Sequence, residues 1–122
     1  MLETIADPAC HPLLFHCHAG KDRTGMLAAV LLSLLGVSDD EIVLDYCLTD
    51  EFMDNIRRDY CSNPAAPDEI RNLPDYTWRA VPESMAIFLK GLNTEYGSAA
   101  GYLKKYGASP TLVRRLDKAL LT

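Results

Sequence analysis

The sequence of 122 residues lacks features that mark several common classes of protein. Its longest apolar stretch, residues 26–35, is interrupted by Ser33 and is far shorter than the roughly 20 residues of a membrane helix, so no stable membrane insertion is expected. The net charge of −5 argues against nucleic acid as a partner. Internal repeats and low-complexity tracts are missing too, and the length suits a single domain, residues 1–122.

A tight disulfide or zinc spacing is missing from the four cysteines, Cys10, Cys17, Cys47 and Cys61. Because no secretory leader is recognisable before them, we expect free thiols in a reducing compartment, the cytoplasm. An alternative interpretation makes five residues metal ligands, namely Cys10, His11, His16, Cys17 and His18. Zinc sites favour closely spaced ligand pairs in two clusters, which are not found here, so neither a metal nor another cofactor is expected.

Hydrophobic patterning predicts one short strand and then helices. The apolar run at residues 13–16 is typical of a buried strand, and residues 24–35 are apolar nearly all round, as in a helix surrounded by protein. A strand cannot satisfy its own backbone, so residues 12–16 need a pairing segment, a partner chain or a missing N-terminal segment that completes a sheet. This pattern predicts an α/β fold with one short central strand and a mainly helical C-terminal part.

The helical part is punctuated by clear boundary signals. Gly36 is placed to end the first long helix, and Ser38 with Glu41 forms a capping box that opens the next. Three later helices are predicted, from Pro82 to the residue before Gly97, over residues 98–106, and after Ser109-Pro110.

Residues 55–79 interrupt this regularity with three prolines and charges of alternating sign. They are interpreted as a surface excursion with one short helix near residues 68–73. A loop of this length more often has a function than not, so the excursion is predicted to act as a lid over a functional site.

The most informative segment runs from His16 to Gly25 and reads His-Cys-His-Ala-Gly-Lys-Asp-Arg-Thr-Gly. A loop that leads into a helix N-terminus offers converging backbone N–H groups and a positive field, which bind an anion and lower the pKa of a cysteine there. Cys17 is therefore a candidate nucleophile, and the guanidinium of Arg23 can bind two phosphate oxygens. The predicted phosphate-binding set is residues His18, Ala19, Gly20, Lys21, Asp22 and Arg23.

Three neighbours complete the candidate site. Thr24 can donate its hydroxyl to the thiolate, and His16 is placed to fix the loop by hydrogen bonding. Displacement by a thiolate also needs an acid and then a base, and Asp22 is the candidate within the loop, although it can equally be a carboxylate that only pairs with Lys21 or Arg23.

On these residues the chain resembles the tyrosine-phosphatase-like dual-specificity and lipid phosphatases, whose loop reads His-Cys-x-Ala-Gly-Lys-Asp-Arg-Thr-Gly. The helical tail is also similar, through Gly36-Val37, residues 46–52, residues 95–97 and Tyr102-Leu103. The resemblance covers about residues 12–122. It implies a truncated Cys-x5-Arg phosphatase fold, with Cys17 as nucleophile, Arg23 as phosphate binder and Asp22 as general acid.

The resemblance also implies function: a cysteine-dependent phosphatase that acts through a phosphocysteine on phosphorylated proteins. Lys21 matches the loop lysine associated with phosphoinositide as well as phosphotyrosine turnover, and residues 55–79 lie where relatives carry a helical lid. Only 16 residues precede Cys17, so the usual N-terminal part with most of the sheet and an aspartate-bearing loop is not expected here. The alternative is therefore a catalytically impaired phosphate-binding module.

Overall fold

The computed structural model describes residues 1–121; the last residue of the predicted domain, Thr122, lies outside them. The described chain forms eight α-helices: α1 Leu2–Ile5, α2 Asp22–Leu34, α3 Asp39–Cys47, α4 Asp50–Ser62, α5 Asp68–Arg71, α6 Pro82–Tyr96, α7 Ala99–Lys105 and α8 Leu112–Leu120. Two short 3-10 helices, Pro8–Cys10 and Asp75–Trp78, lie between them.

The predicted α/β fold with a short central strand is wrong, because residues 1–121 contain helices, turns and irregular backbone but no strand. Residues 13–17 carry no regular secondary structure, and Leu14 is 86% exposed. Phe15 does pack against the apolar cluster between α1 and α8. A strand is defined by backbone hydrogen bonds to a neighbour, and an apolar run indicates burial without supplying that neighbour.

Helix α2 lies at the centre of the molecule and contacts α3, α6 and α7. Its Ala29 is buried against α3 and α6, and its Val30 packs with Leu92 and Ala99. A third side of α2 packs on the cluster of α1 and α8 that contains the fully buried Leu116. The prediction of a helix surrounded by protein is therefore confirmed, and the loop of residues 17–23 leads into this central helix.

The predicted helix boundaries follow local chemistry. The side chain of Ser38 accepts a hydrogen bond from the backbone N–H of Glu41, whose carboxylate accepts one from the backbone N–H of Ser38, so the capping box is confirmed. Helix α6 begins at Pro82 and is followed by Gly97 with φ of 77°, a left-handed conformation that favours glycine. None of the helices within residues 1–121 combines the length and the apolarity that crossing a membrane requires.

The excursion at residues 55–79 is more ordered than predicted. Helix α4 runs through its first part, and the short helix expected near residues 68–73 is confirmed as α5. Arg71 joins the two helices, because its guanidinium donates to the carbonyl oxygens of Cys61 (3.3 Å) and Asn63 (2.8 Å) and pairs with Asp68 (2.8 Å). The α4–α5 pair is thus held as a unit beside the loop, while its role as a lid stays a prediction.

Candidate active site

The phosphate loop, residues 17–23, runs from irregular backbone into the first turn of α2, which begins at Asp22. Gly20 has φ of 67°, so the chain turns in the left-handed region, where a side chain would be strained. After this turn the backbone N–H groups of Gly20, Lys21 and Thr24 converge on one point near the helix N-terminus, the arrangement that binds anions.

The sulfur of Cys17 occupies that point. Burial raises the pKa of the thiol. Hydrogen bonds from the Thr24 hydroxyl and from the backbone N–H groups of Thr24, Gly20 and Lys21 more than offset this effect and lower the pKa to about 6. The ordinary value is 9.0, so the resting form near neutral pH is the thiolate. The sulfur is therefore held ionised by a ring of donors that could equally bind phosphate oxygens.

Two polar side chains brace the loop. The hydroxyl of Thr24 accepts a hydrogen bond from the backbone N–H of Cys17 (2.8 Å) while it donates to the Cys17 sulfur. The His16 ring, in the tautomer with the proton on Nδ1, donates to the carbonyl oxygen of Cys17 (2.9 Å). Both contacts fix the backbone at the nucleophile.

The two charged residues at the start of α2 differ in their partners. Arg23 is exposed, and its guanidinium forms neither an ion pair nor a hydrogen bond within residues 1–121, so it is available to an anion. The Asp22 carboxylate is 70% exposed and lies 3.4 Å from the Lys21 ammonium. The acid/base role of Asp22 and the phosphate-binding role of Arg23 remain predictions on these positions.

Lys21 is placed differently from its neighbours. Its side chain is buried, 6% of the residue being exposed, and its ammonium donates to the carbonyl oxygens of Thr77 (2.7 Å) and Arg79 (3.0 Å). Only its backbone N–H faces the Cys17 sulfur. Lys21 therefore contributes a main-chain donor to the loop, while its side chain binds the far end of the excursion.

The structure also brings to the loop two aromatic residues that sequence reasoning did not select. The hydroxyl of Tyr60, near the end of α4, donates to the carbonyl oxygen of His18 (3.0 Å), and their ring centroids are 4.7 Å apart. The Tyr60 ring also lies 6.1 Å from the ring of Trp78, whose buried indole N–H has no acceptor within residues 1–121. Tyr60 lies 42 residues from His18 along the chain, so no local pattern pointed to it.

Asp50 fastens the end of the excursion to the start of α4. Its carboxylate accepts hydrogen bonds from the backbone N–H of Ala80 (2.7 Å) and from Arg79 Nε (3.0 Å). The Ala80 hydrogen bond holds the pKa of Asp50 below its ordinary value, against the effect of burial, and Arg79 adds to the lowering. Asp50 is thus ionised near neutral pH and holds the end of the excursion at the start of α4.

A small cavity of about 120 Å³ adjoins the loop and is lined by Gly20 and Thr24 together with Asp45 of α3. A larger apolar groove of about 650 Å³ lies between α2, α6 and α7 and includes no residue of the phosphate loop. Within residues 1–121, no group of three or more His, Cys, Asp or Glu side chains is arranged to hold a metal ion, so the five residues of the metal alternative are not gathered into such a group.

Comparison with known proteins gives consistent matches. A family model described as "Tyrosine phosphatase family" matches residues 1–122. A tyrosine-protein phosphatase of Nostoc commune is 36% identical over 126 residues, which cover 98% of this chain and 42% of the relative. The triple specificity protein phosphatase PtpB of Mycobacterium tuberculosis is 32% identical over 124 residues, covering 93% of this chain and 45% of the relative. The chain thus spans less than half the length of these relatives.

Proposed function

Because this chain belongs to the tyrosine phosphatase family, we propose that it is a cysteine-dependent phosphatase that hydrolyses phosphate monoesters through a phosphocysteine. The observation that carries the proposal is the Cys17 sulfur, whose pKa of about 6 results from four hydrogen bonds donated by residues 20–24. An anionic sulfur held by loop amides, together with the unpaired guanidinium of Arg23 in the same loop, has the components needed for in-line attack on phosphorus.

In the first step, the Cys17 thiolate attacks phosphorus, a sulfur–phosphorus bond forms, and the bond to the ester oxygen breaks. Arg23 and the loop amides bind the phosphoryl oxygens and stabilise the charge that they carry in the transition state. The leaving oxygen takes a proton from Asp22, which we assign as general acid because it is the acidic residue of the loop and its carboxyl group is exposed.

In the second step, the Asp22 carboxylate removes a proton from a water molecule, which attacks phosphorus. The sulfur–phosphorus bond breaks, inorganic phosphate leaves, and Cys17 returns to the thiolate while Asp22 is again protonated. The amides and the guanidinium hold the phosphoryl oxygens throughout, so the cycle needs no metal ion or other cofactor.

We propose phosphotyrosine proteins as the main substrates, with phosphoserine, phosphothreonine and phosphoinositides as further candidates. The aromatic rim of His18 and Tyr60 beside the loop supports an aryl phosphate, because an aromatic leaving group could pack against these rings. Unpaired cysteines in the described residues support a reducing compartment such as the cytoplasm.

The test is turnover of an aryl phosphate by the parent and by Cys17→Ser, with Cys10→Ser as a matched control on an exposed cysteine outside the loop. We expect Cys17→Ser to abolish turnover and retain phosphate binding, and Cys10→Ser to behave as the parent does. Parent-like turnover by Cys17→Ser would refute the phosphocysteine mechanism.

The second candidate is a phosphate-binding module without turnover. Anion binding needs only the hydrogen-bond donors, which all lie in residues 20–24. Turnover also needs an acid, and one observation favours the module: the proposed acid, Asp22, is an exposed carboxylate already paired with Lys21. Rapid acid quenching after a single turnover separates the two candidates, because mass spectrometry detects a phosphorylated Cys17 in an enzyme and never in a binder.

A further inference from the structure

The Lys21 side chain points to a role that its position in the phosphate loop does not suggest. A lysine next to a bound anion is expected to direct its ammonium at that anion. Here the ammonium donates instead to two backbone carbonyls, of Thr77 and Arg79, which lie 56 and 58 residues further along the chain.

The burial of this ammonium makes the contact costly unless it is well satisfied. A lysine side chain that is removed from water loses the hydration of its charge, and only good hydrogen-bond acceptors and a counter-charge offset that loss. Lys21 has two acceptors at hydrogen-bonding distance and the Asp22 carboxylate at 3.4 Å. The contact is therefore a specific joint between the loop and residues 77–79.

The joined segment carries Trp78, whose position needs such support. Its indole N–H is buried without an acceptor in the described chain, which destabilises the buried position of this side chain. Trp78 in turn lies against Tyr60, which donates to the rim of the loop at His18. Lys21 thus binds the carbonyls on both sides of the residue that backs the aromatic rim.

We propose that Lys21 is a positioning residue whose buried ammonium fastens residues 77–79 to the phosphate loop and so holds the Tyr60–Trp78 pair beside the substrate entrance. The catalytic meaning of this inference rests on the proposed phosphatase function, since the rim would contact the organic group that carries the phosphate. Lys21 then affects substrate binding through the rim, while the phosphate itself is bound by the amides and Arg23.

The test uses Lys21→Met in the Cys17→Ser background, with the exposed Lys90→Met on α6 as the matched control. Trp78 is the single tryptophan, so its emission reports on the joined segment alone. We expect Lys21→Met to shift this emission to longer wavelength and to speed hydrogen exchange at the Arg79 and Ala80 amides by roughly ten-fold. Affinity for inorganic phosphate should stay at the Cys17→Ser value, and Lys90→Met should change none of the three.

Unchanged emission and exchange in Lys21→Met would overturn the proposal, and a loss of phosphate affinity with unchanged exchange would assign Lys21 to the anion instead. If Lys21→Met fails to fold, Lys21→Gln retains a donor for one carbonyl, and its exchange should still increase; an unchanged rate overturns the proposal there as well. None of these measurements requires turnover, so they stay informative if the phosphatase proposal itself fails. In the active background, Lys21→Met should raise KM for an aryl phosphate while the midpoint of Cys17 alkylation stays near pH 6.

Discussion

Replacing Thr24 by valine should raise the pKa of Cys17, because valine has the shape of threonine without its hydroxyl. Among the interactions that lower this pKa, the Thr24 hydroxyl is the largest, ahead of the backbone N–H groups of Thr24, Gly20 and Lys21. Burial of the sulfur opposes all four and is unaffected by the substitution. The variant therefore keeps the cost of burying the thiolate and loses its strongest donor.

The size of the effect follows from the shift itself. Four donors together bring the pKa from 9.0 to about 6. Loss of the strongest should raise it by about one unit, so at a pH equal to the parent's pKa the thiolate fraction falls from about a half to about a tenth. Alkylation of Cys17 by iodoacetamide, which requires the thiolate, should then be about five-fold slower at that pH.

The assay is the pH dependence of alkylation, resolved by mass spectrometry of the peptide that contains Cys17. Cys47 serves as an internal reference, because burial first, and then Asp50 and Glu83, raise the pKa of its thiol, so it should react only at higher pH. Thr24→Ser retains the hydroxyl and should keep the parent profile. A Thr24→Val midpoint that stays near pH 6 would show that the amides alone set the acidity and that the hydroxyl contributes nothing.

Two further outcomes are expected. Asp22→Asn should slow turnover of an aryl phosphate by about 10²–10⁴-fold and leave Cys17 alkylation unchanged. The control Asp45→Asn, beside the same loop, should turn over at nearly the parent rate. Equal rates in the parent and Asp22→Asn would reject Asp22 as the acid. Asp50→Asn should lower the free energy of unfolding, measured in urea, near neutral pH. Because the folded pKa of Asp50 is below the ordinary 3.8, the contribution of Asp50 to the free energy of unfolding is complete above that value and is lost as the pH falls through the folded pKa. A stability difference between parent and Asp50→Asn that grows in acid would contradict this reasoning.

What could be predicted from the sequence is what depends on neighbours along the chain. The capping box of Ser38 and Glu41 and the helix end at Gly97 are local hydrogen-bonding and backbone requirements, and both are present as predicted. The central helix was recognised because it is apolar on every side. Family membership also followed from contiguous residues, since the loop motif is a single uninterrupted segment, and the family match confirms it.

The features that sequence reasoning missed depend on residues far apart in the chain. Helix α4 buries mainly Met53 and is otherwise largely exposed, so its composition looks like that of an irregular surface segment. The expected strand failed for the opposite reason: residues 13–16 have an apolar pattern, but pairing requires a second segment that no local pattern identifies. The hydrogen bond from Lys21 to Thr77 joins residues 56 positions apart, and neither segment carries a local pattern that identifies the other.

This division bears directly on how the candidate site works. Every donor that lowers the pKa of Cys17 lies within seven residues of it, so the acidity of the sulfur is encoded in one turn and the start of one helix. Tyr60 of the rim and Trp78 behind it are encoded elsewhere, because they reach the loop only through contacts that span more than 40 residues. Substitutions in residues 75–80 should therefore alter which organic groups are accepted while the thiolate persists. In the proposed mechanism, substitutions at residues 20 to 24 should weaken the nucleophile for every substrate alike, since each phosphate ester would meet the same sulfur and the same amides.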